Sequence, residues 1–550
     1  MNMKDCYGWC KKLLEVDLSA GSTRITTPPT TLLHGYLGGR GLGARLVYDN
    51  GVVDPLSPEN ILVFAAGPLT GTPAPASGRA SVSTKSPATG TIFDANAGGK
   101  FGYLLKRAGF DAIVLRGRAE KPVIINIKDE NVDIILREDL WGLNAGDTQH
   151  RLKKEGYTGS IAVIGRAGER LLNVASILLD GSHAFARGGV GAVMGSKNLK
   201  AIVLSGSGKV QIYDRDEFER QRRTINRMLV ASPAIDRGLK IFGTPMLIKI
   251  AEWMQILPVD NFRGKKFDAG SLYGSKLKDE YTAKRRGCSS CPIACKREDK
   301  GGHALPEYET IAMFGPNLLN SDIERIIEAN RICNEYGIDT ISAGSVLATH
   351  GVTDPKEISG LLEDLGEGKL KLRGSVSVKG LELPGYDPRR VMGLGFSYAT
   401  SNRGGCHTRA YMVAPEILKK PKAINPLTFA GKAGYVKVFQ DRFAAVDSLV
   451  VCKFAFFGVS EEEYANILTA VTGVSFTSED LMKVGERIWN LERLYNIREG
   501  FGREDDTLPD LFFDTLSREA FEKTLDEYYA IRGWDENGVP GENKLNELGL

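Results

Sequence analysis

Gly287-Cys-Ser-Ser-Cys-Pro-Ile-Ala-Cys-Lys296 packs three thiols, Cys288, Cys291 and Cys295, into eight residues of a 550-residue chain. Ordinary packing requires no such density. If a fourth thiol joins them, for which Cys452 in Asp447-Ser-Leu-Val-Val-Cys452-Lys-Phe454 is the best candidate, the set suits a [4Fe–4S] cluster. The C-x2-C-x3-C spacing differs from the C-x2-C-x2-C of bacterial ferredoxins, and it reverses the C-x3-C-x2-C of radical enzymes that use S-adenosylmethionine. A structural zinc site is the competing reading, although it would show a second short Cys/His pair and none is present. Inert thiols are the other alternative. Eight cysteines are too sparse for a disulfide framework. Cys6, Cys10, Cys333 and Cys406 read as small residues packed as hydrophobes.

Working outward, the chain has the composition of a globular protein, 42% hydrophobic and 25% charged, with room for two to four packed domains. A net charge of +3 with dispersed basic residues argues against nucleic-acid binding. Met1-Asn-Met-Lys-Asp-Cys6 lacks an apolar signal core and no apolar run reaches spanning length, so a reducing, cytoplasmic location is expected. Up to about residue 205, short β-branched runs recur between turn signals: Ile61–Phe64, Ala112–Leu115, Val123–Ile127, Val132–Leu136, Ile161–Ile164 and Ala201–Leu204. Ser205-Gly-Ser-Gly-Lys209 reads as a linker. Beyond it the period changes, and Glu217–Leu229 and Ile323–Tyr336 are expected to be amphipathic helices. Lys371–Arg390 is irregular. Thr477-Ser-Glu-Asp480 resembles a capping box, followed by a Val484, Ile488, Leu491, Tyr495 stripe facing the core.

Glycine is the compositional outlier, with 63 residues. Leu37-Gly-Gly-Arg-Gly-Leu-Gly43, Gly78-Arg79, Asn96-Ala-Gly-Gly-Lys100 and Arg187-Gly-Gly-Val-Gly191 each join a cation to free backbone, which suits an anion cradle. Each alone is also a plain tight turn. Together they point to a phosphorylated cofactor. Neither a dinucleotide fingerprint nor a P-loop is present, so NAD and ATP are poorly supported.

These segments, with Tyr36–Arg45, Gly67-Pro-Leu-Thr-Gly71, Ser77-Gly-Arg-Ala-Ser81, Arg187–Gly195, Gly337-Ile-Asp-Thr340, Ala399-Thr-Ser-Asn-Arg403 and Asn496-Ile-Arg-Glu-Gly500, resemble the aldehyde ferredoxin oxidoreductase family over nearly the whole chain. The resemblance implies an α+β architecture: a β-rich, pterin-binding domain over residues 1–208, then two mainly α-helical domains. The first, 209–395, carries the Cys288–Cys295 motif, and the second, 396–550, carries His407 and Cys452. It further implies tungsten (or molybdenum) held by two pterin dithiolenes, a [4Fe–4S] cluster beside it, and a magnesium ion bridging the pterin phosphates.

The same resemblance assigns residues. Cys288, Cys291, Cys295 and Cys452 match the cluster ligands, and Arg79 a residue between cluster and pterin. Asn96, Gly98 and Gly99 match positions around the pterin phosphates and magnesium; Arg187, Gly188 and Gly189 match a further pterin loop. Two D-x-x-G-L-(C/D) segments correspond to Asn334-Glu-Tyr-Gly-Ile-Asp339 and Asp447-Ser-Leu-Val-Val-Cys452, making Asp339 and Asp447 pterin contacts. Asn334 and Val450 depart from the pattern. Glu309 and His407 match the residues near the metal, with Glu307 the other candidate glutamate.

Oxidising an aldehyde takes oxygen from water and removes a proton and two electrons. Glu309 is assigned as base and His407 as partner of the carbonyl oxygen. The other histidines, at 34, 150, 183, 303 and 350, have no comparable setting. The expected partners are an aldehyde and ferredoxin or an iron–sulfur subunit, which Lys296 and Arg297 could steer. A homodimer and a hetero-oligomer both remain open. Two alternatives stand beside this reading: a tungsten subunit that reduces an aromatic acyl thioester, and a non-catalytic iron–sulfur protein.

Overall fold

A computed structural model of the chain describes residues 7–352, 354–370 and 374–550. Cys6 with the rest of the first hexapeptide, and the first three residues of the Lys371–Arg390 stretch, lie outside the described residues.

The β-rich half is two six-stranded sheets. The first runs Ser22–Thr26, Leu13–Asp17, Ala112–Arg116, Leu62–Ala65, Ala80–Lys85, Ile92–Ala97. The second runs His183–Phe185, Ile177–Leu179, Ser160–Ile164, Leu199–Ser205, Val123–Lys128, Asn131–Leu136. Every β-branched run read as a strand is one, with ends shifted by a residue or two. In the first sheet, alternate residues explain why Ile61–Phe64 and Ala112–Leu115 are apolar throughout. Phe64, Ile113 and Leu115 point into the core shared with the second sheet, and Val63, Ala112 and Val114 into the core shared with the helices. Both faces are covered, so no polar alternation survives.

The rest is mainly helical, as an α+β reading expects. Ile323–Tyr336 is a helix with the expected bounds, and Arg215–Ala231 contains the expected Glu217–Leu229. Thr477 caps Ser478–Arg498 in the expected capping box, and Val484, Ile488, Leu491 and Tyr495 are buried. Two expectations fail. Ser205–Lys209 is not a free linker: Gly208 exchanges hydrogen bonds with Arg107 (2.9 and 2.8 Å), which lays the segment along the Phe101–Arg107 helix. The Leu37–Gly43 glycines form no cradle. Gly39–Asn50 is a helix, and the missing side chains at Gly41 and Gly43 let it press onto Ser448 and Ser83. Its Arg40 is fully buried, forked onto Glu492 at 2.6 and 2.7 Å.

Candidate active site

The two segments likened to D-x-x-G-L-(C/D) adopt one local form. Each ends a helix, Ile323–Tyr336 or Lys432–Leu449, on a left-handed residue, Gly337 (φ 73°) or Val450 (φ 59°). The chain then turns inward at Asp339 or Cys452. Glycine takes that conformation freely, whereas a β-branched residue is strained there. Val450 nevertheless fits because Gly39 and Gly67 leave room for its side chain. Asp339 accepts from Ser342 N (2.8 Å), and Asp447 accepts from Lys453 Nζ (2.7 Å). Asp339 and Asp447 both line one central cavity of about 340 Å³. Asn334, the residue that departs from the pattern, lines a different cleft.

Backbone bonds bring the thiols together. Ala76, in the loop between Leu62–Ala65 and Ala80–Lys85, donates to Ser290 O and accepts from Cys452 N, both at 2.9 Å. One residue therefore clamps Cys452 against the Cys288–Cys295 loop. Charge effects report the same proximity. Burial pushes the Cys291 thiol up to about 12, reinforced by Cys452 and Cys288. Burial likewise raises Cys295 and Cys452. At Arg79 burial opposes the charge, but Cys452, Cys288, Cys295 and Asp447 outweigh it and hold the guanidinium above its ordinary value. Among the described residues no three His, Cys, Asp or Glu side chains converge tightly enough for a single metal ion. The thiols suit a [4Fe–4S] cluster: they are partly buried, near enough to raise one another's proton affinity, and beside the Arg79 cation that offsets their charge on ionising.

Across the cavity stand Glu309 and His407. Glu309 lies in the first turn of the Tyr308–Phe314 helix, where its Oε2 accepts from Gly385 N at 2.8 Å. Burial overrides that donor and Arg187, lifting the carboxyl to about 8. His407 is held well below its ordinary value by burial, then by Arg187, Arg403 and Lys453, so the imidazole is neutral. Its Nδ1 faces Glu309 Oε1 at 3.5 Å, and both atoms are buried without a hydrogen-bond partner. Arg187 fixes the His407 loop through Gly405 O (2.7 Å). Arg187, Gly188 and Gly189 are consecutively left-handed, and a side chain at Gly188 would strike the Phe93 ring at 2.6 Å. Glu307 also lines the cavity, but Lys296 at 3.0 Å holds its carboxyl below the usual range.

Arg79 donates to Asn96 through Nε and Nη2, and Asn96 keeps a buried Nδ2 unpartnered. Asp447 Oδ1 and Arg187 Nε are also buried without partners. These unpaired donors and acceptors around one cavity fit a large polar cofactor such as a pterin. Gly98 and Gly99 sit elsewhere, against Cys288 and His183. A Cβ at Gly98 would collide with Cys288 Sγ and lie 3.1 Å from His183 Nδ1. A thiol tied to a cluster cannot swing aside, so Gly98→Ala is expected to lower iron and acid-labile sulfide per chain. Unchanged iron by colorimetric assay would show that the loop yields instead.

Three sequence expectations need correction. His183 does have a special setting, partly buried beside Cys288, with its imidazole well below the ordinary value through desolvation and the nearby Lys296 and Arg79. Cys406 is buried but is no hydrophobe. Arg403 Nη2 (2.9 Å) and Thr408 Oγ1 (3.2 Å) bond its sulfur, and Arg403, Arg409 and Arg187 overcome burial to bring it down to about 6. Lys296 and Arg297 are not a solvated face. Lys296 turns onto Glu307, and Arg297, 5% exposed, donates to Leu239 and Lys240 carbonyls.

Sequence reasoning missed Asp94, Arg403, Arg409 and Lys453, which also line the cavity. Arg409 pairs with Asp94 at 2.5 Å and Asp447 at 3.4 Å; Arg40 approaches both at 3.5 and 3.6 Å. A sequence signal existed for Arg403 in the quoted Ala399–Arg403 segment and for Lys453 in the quoted Asp447–Phe454 segment.

With this geometry in hand, comparisons identify the scaffold. The model of the aldehyde ferredoxin oxidoreductase N-terminal domain matches residues 13–206, and that of domains 2 and 3 matches 221–352 and 358–550. The chain is 41% identical to the tungsten-containing aldehyde ferredoxin oxidoreductase of Pyrococcus furiosus, with 99% of both chains covered. It is 39% identical to that of Thermococcus kodakarensis at the same coverage. The active-site complex BamBC of benzoyl coenzyme A reductase, solved with 1,5-dienoyl-CoA, superposes with a TM-score of 0.87 at 24% identity, covering 99% of this chain and 97% of that one, a likeness of fold. The chain belongs to the aldehyde ferredoxin oxidoreductase family.

Proposed function

We propose that this protein oxidises aldehydes to carboxylic acids and passes the electrons singly to a ferredoxin or an iron–sulfur subunit. The observation that carries the reading is the placement of Glu309, His407 and Cys452 on the walls of one 340 Å³ cavity, with Arg79 and Asp447 beside them. A tungsten bis-pterin in that cavity supplies, when bound, the two-electron oxidising power that side chains lack. Asn96, Arg187, Asp339 and Asp447 would hold its polar rim, with magnesium at its phosphates near Asn96. Cys288, Cys291, Cys295 and Cys452 would hold the [4Fe–4S] cluster. The proposed division at 208/209 and 395/396 then draws both sets from the same two parts of the chain: Cys288, Cys291, Cys295 and Glu309 from one, Cys452 and His407 from the other.

The chain's own residues do three things in this scheme. Glu309, with its proton affinity near 8, accepts the proton released as water's oxygen is added to the carbonyl carbon. Neutral His407 donates from a ring N–H to the aldehyde oxygen without adding a fixed charge to the pocket. Tyr386 and Tyr411 flank His407 with ring centroids at 5.8 and 6.4 Å, and Tyr308 stacks on Tyr386 at 4.6 Å. This aromatic wall, extended by Leu247 and Phe454, keeps bulk water from the reacting carbon.

The test is anoxic purification with metal, iron and sulfide analysis, followed by aldehyde-dependent reduction of a viologen dye. Tungsten or molybdenum with roughly four irons per chain, dye reduction with aldehydes, and no oxidation of reduced dye by aromatic acyl thioesters are expected. Protein holding no group-six metal, or inert toward aldehydes, would refute the reading. No helix among the described residues is long and apolar enough to cross a membrane.

A further inference from the structure

Lys379 and Gly380 make the two-residue turn of a hairpin, Ser377–Val378 with Leu381–Glu382, and both are left-handed (φ 48° and 73°). Asparagine or aspartate suits the first of those positions, and lysine does not. Its ammonium is nevertheless well provided for: it donates to Ala399 O at 2.6 Å and Asp506 Oδ1 at 2.7 Å. The two charged side chains are only 1% and 2% exposed. We propose that Lys379, through this buried pair, is a positioning residue that sets Glu309 and His407 at their working separation, an inference that rests on the proposed function and adds a residue to it.

The hairpin touches both members of the pair. Beyond Glu382 the chain continues to Gly385, whose N–H holds Glu309 Oε2 at 2.8 Å. On the other strand, Val378 O accepts from Gly405 N at 3.1 Å, two residues before His407. The contact is close: a side chain at Gly404 would collide with Val378 O, and one at Gly405 would lie 2.7 Å from Leu381 O. Arg187 joins hairpin and loop again by donating to Glu382 O and Gly405 O. Lys379 fixes this platform to the rest of the fold. Ala399 ends the Met392–Ala399 helix, from which the chain runs directly into the His407 loop. One ammonium therefore holds both the hairpin under the loop and the point where the loop begins. Asp506 in turn is gripped by Arg493 Nη1 at 3.0 Å and Tyr529 Oη at 2.6 Å, on the helices Ser478–Arg498 and Arg518–Arg532. Burial makes the Lys379–Asp506 pair costly to break. Among the described residues, no hydrogen bond fixes Glu309 Oε1 or His407 Nδ1, 3.5 Å apart, directly. Their spacing is set from the hairpin, and a shift of about 1 Å at reacting groups can cost about a hundredfold in rate.

The test uses anoxically purified holoenzyme carrying Lys379→Met, Lys379→Arg or Asp506→Asn, read by viologen-linked aldehyde oxidation and by hydrogen exchange with mass spectrometry. In Lys379→Met, kcat should fall about tenfold or more while KM stays within about twofold, because the aromatic wall is untouched. The Gly404–Thr408 amides should exchange about tenfold faster, while the Ser160–Ile164 strand of the second sheet keeps its wild-type rate. Lys379→Arg, which keeps the charge, should recover most of the loss, and Asp506→Asn should show the same pattern more weakly. Wild-type kcat in Lys379→Met overturns the proposal, as does equal acceleration of exchange in both segments, the mark of a merely structural lysine. Should Lys379→Met fail to fold, Asp506→Asn decides by the same two readings. A wild type inert toward every aldehyde would refute the proposed function instead, and the exchange comparison would still decide whether Lys379 holds the loop.

Discussion

Cys452→Ser should abolish the four-iron signal in electron paramagnetic resonance and leave iron far below the roughly four atoms per chain of a filled site. Cys333→Ser should leave both unchanged. The contrast follows from position. Cys333 is wholly buried in the apolar core on the Ile323–Tyr336 helix, while Cys452 is pinned by Ala76 against the loop that holds the other three thiols. The three local thiols sit on an irregular loop preceded by the exposed strand Lys284–Arg286 and anchored by the buried Ile293 between Cys291 and Cys295. Cys452 instead follows the Lys432–Leu449 helix, whose last eleven residues are all buried. The buried helix thus supplies the fixed point. Three ligands alone would lose a labile iron corner, so dye-linked turnover should fall with the signal. Full iron in Cys452→Ser, checked against Cys452→Ala to exclude a serine oxygen as substitute ligand, would remove Cys452 from the ligand set and with it the link between cluster and cavity.

The features legible in the sequence were those written over a short span. Three cysteines in one loop point to a cluster because a metal group would impose its spacing locally. Strand runs and the Thr477 cap announce themselves through periodicity and capping chemistry for the same reason. Arg403, Arg409 and Asp94 could not be read that way. Each is an ordinary charged residue until the Ile92–Ala97 strand and the 401–412 loop come together, and only then does burial force them into pairs. His183 is similar: nothing near it in the chain hints at Cys288, more than a hundred positions later. The Leu37–Gly43 run misled for the opposite reason. Its glycines do allow close approach, but what approaches is Ser83 and Ser448 rather than a phosphate. Lys296 and Arg297 misled because adjacent cations usually mean solvent. Here Glu307 and two carbonyl groups supply the partners instead.

Glu309→Gln should suppress aldehyde oxidation by about a hundredfold or more, the range that loss of a general base produces, while metal and iron contents stay at wild-type levels. It should also make the protein more stable at alkaline pH, a combination that a merely structural glutamate would not give. The sign comes from its proton. An unfolded glutamate ionises near 4.5, but burial holds the folded group's proton to about 8. Between those values the folded chain carries one more proton than the unfolded chain, so stability from this group declines as pH rises and the penalty is complete above about 8. Glutamine keeps the Gly385 N–H bond and never ionises. The gain in Tm over wild type should therefore be small at pH 5 and grow toward pH 8.5. Activity should show the mirror image: wild-type kcat/KM rises with pH through a limb near 8, as the carboxylate able to take a proton appears, and that limb vanishes in the variant. Glu307→Gln should behave differently, because it strips Lys296 of its partner 3.0 Å away and so destabilises the fold while sparing the limb. Near-normal turnover in Glu309→Gln, or a limb that moves with Glu307 instead, would transfer the proton-accepting role away from Glu309.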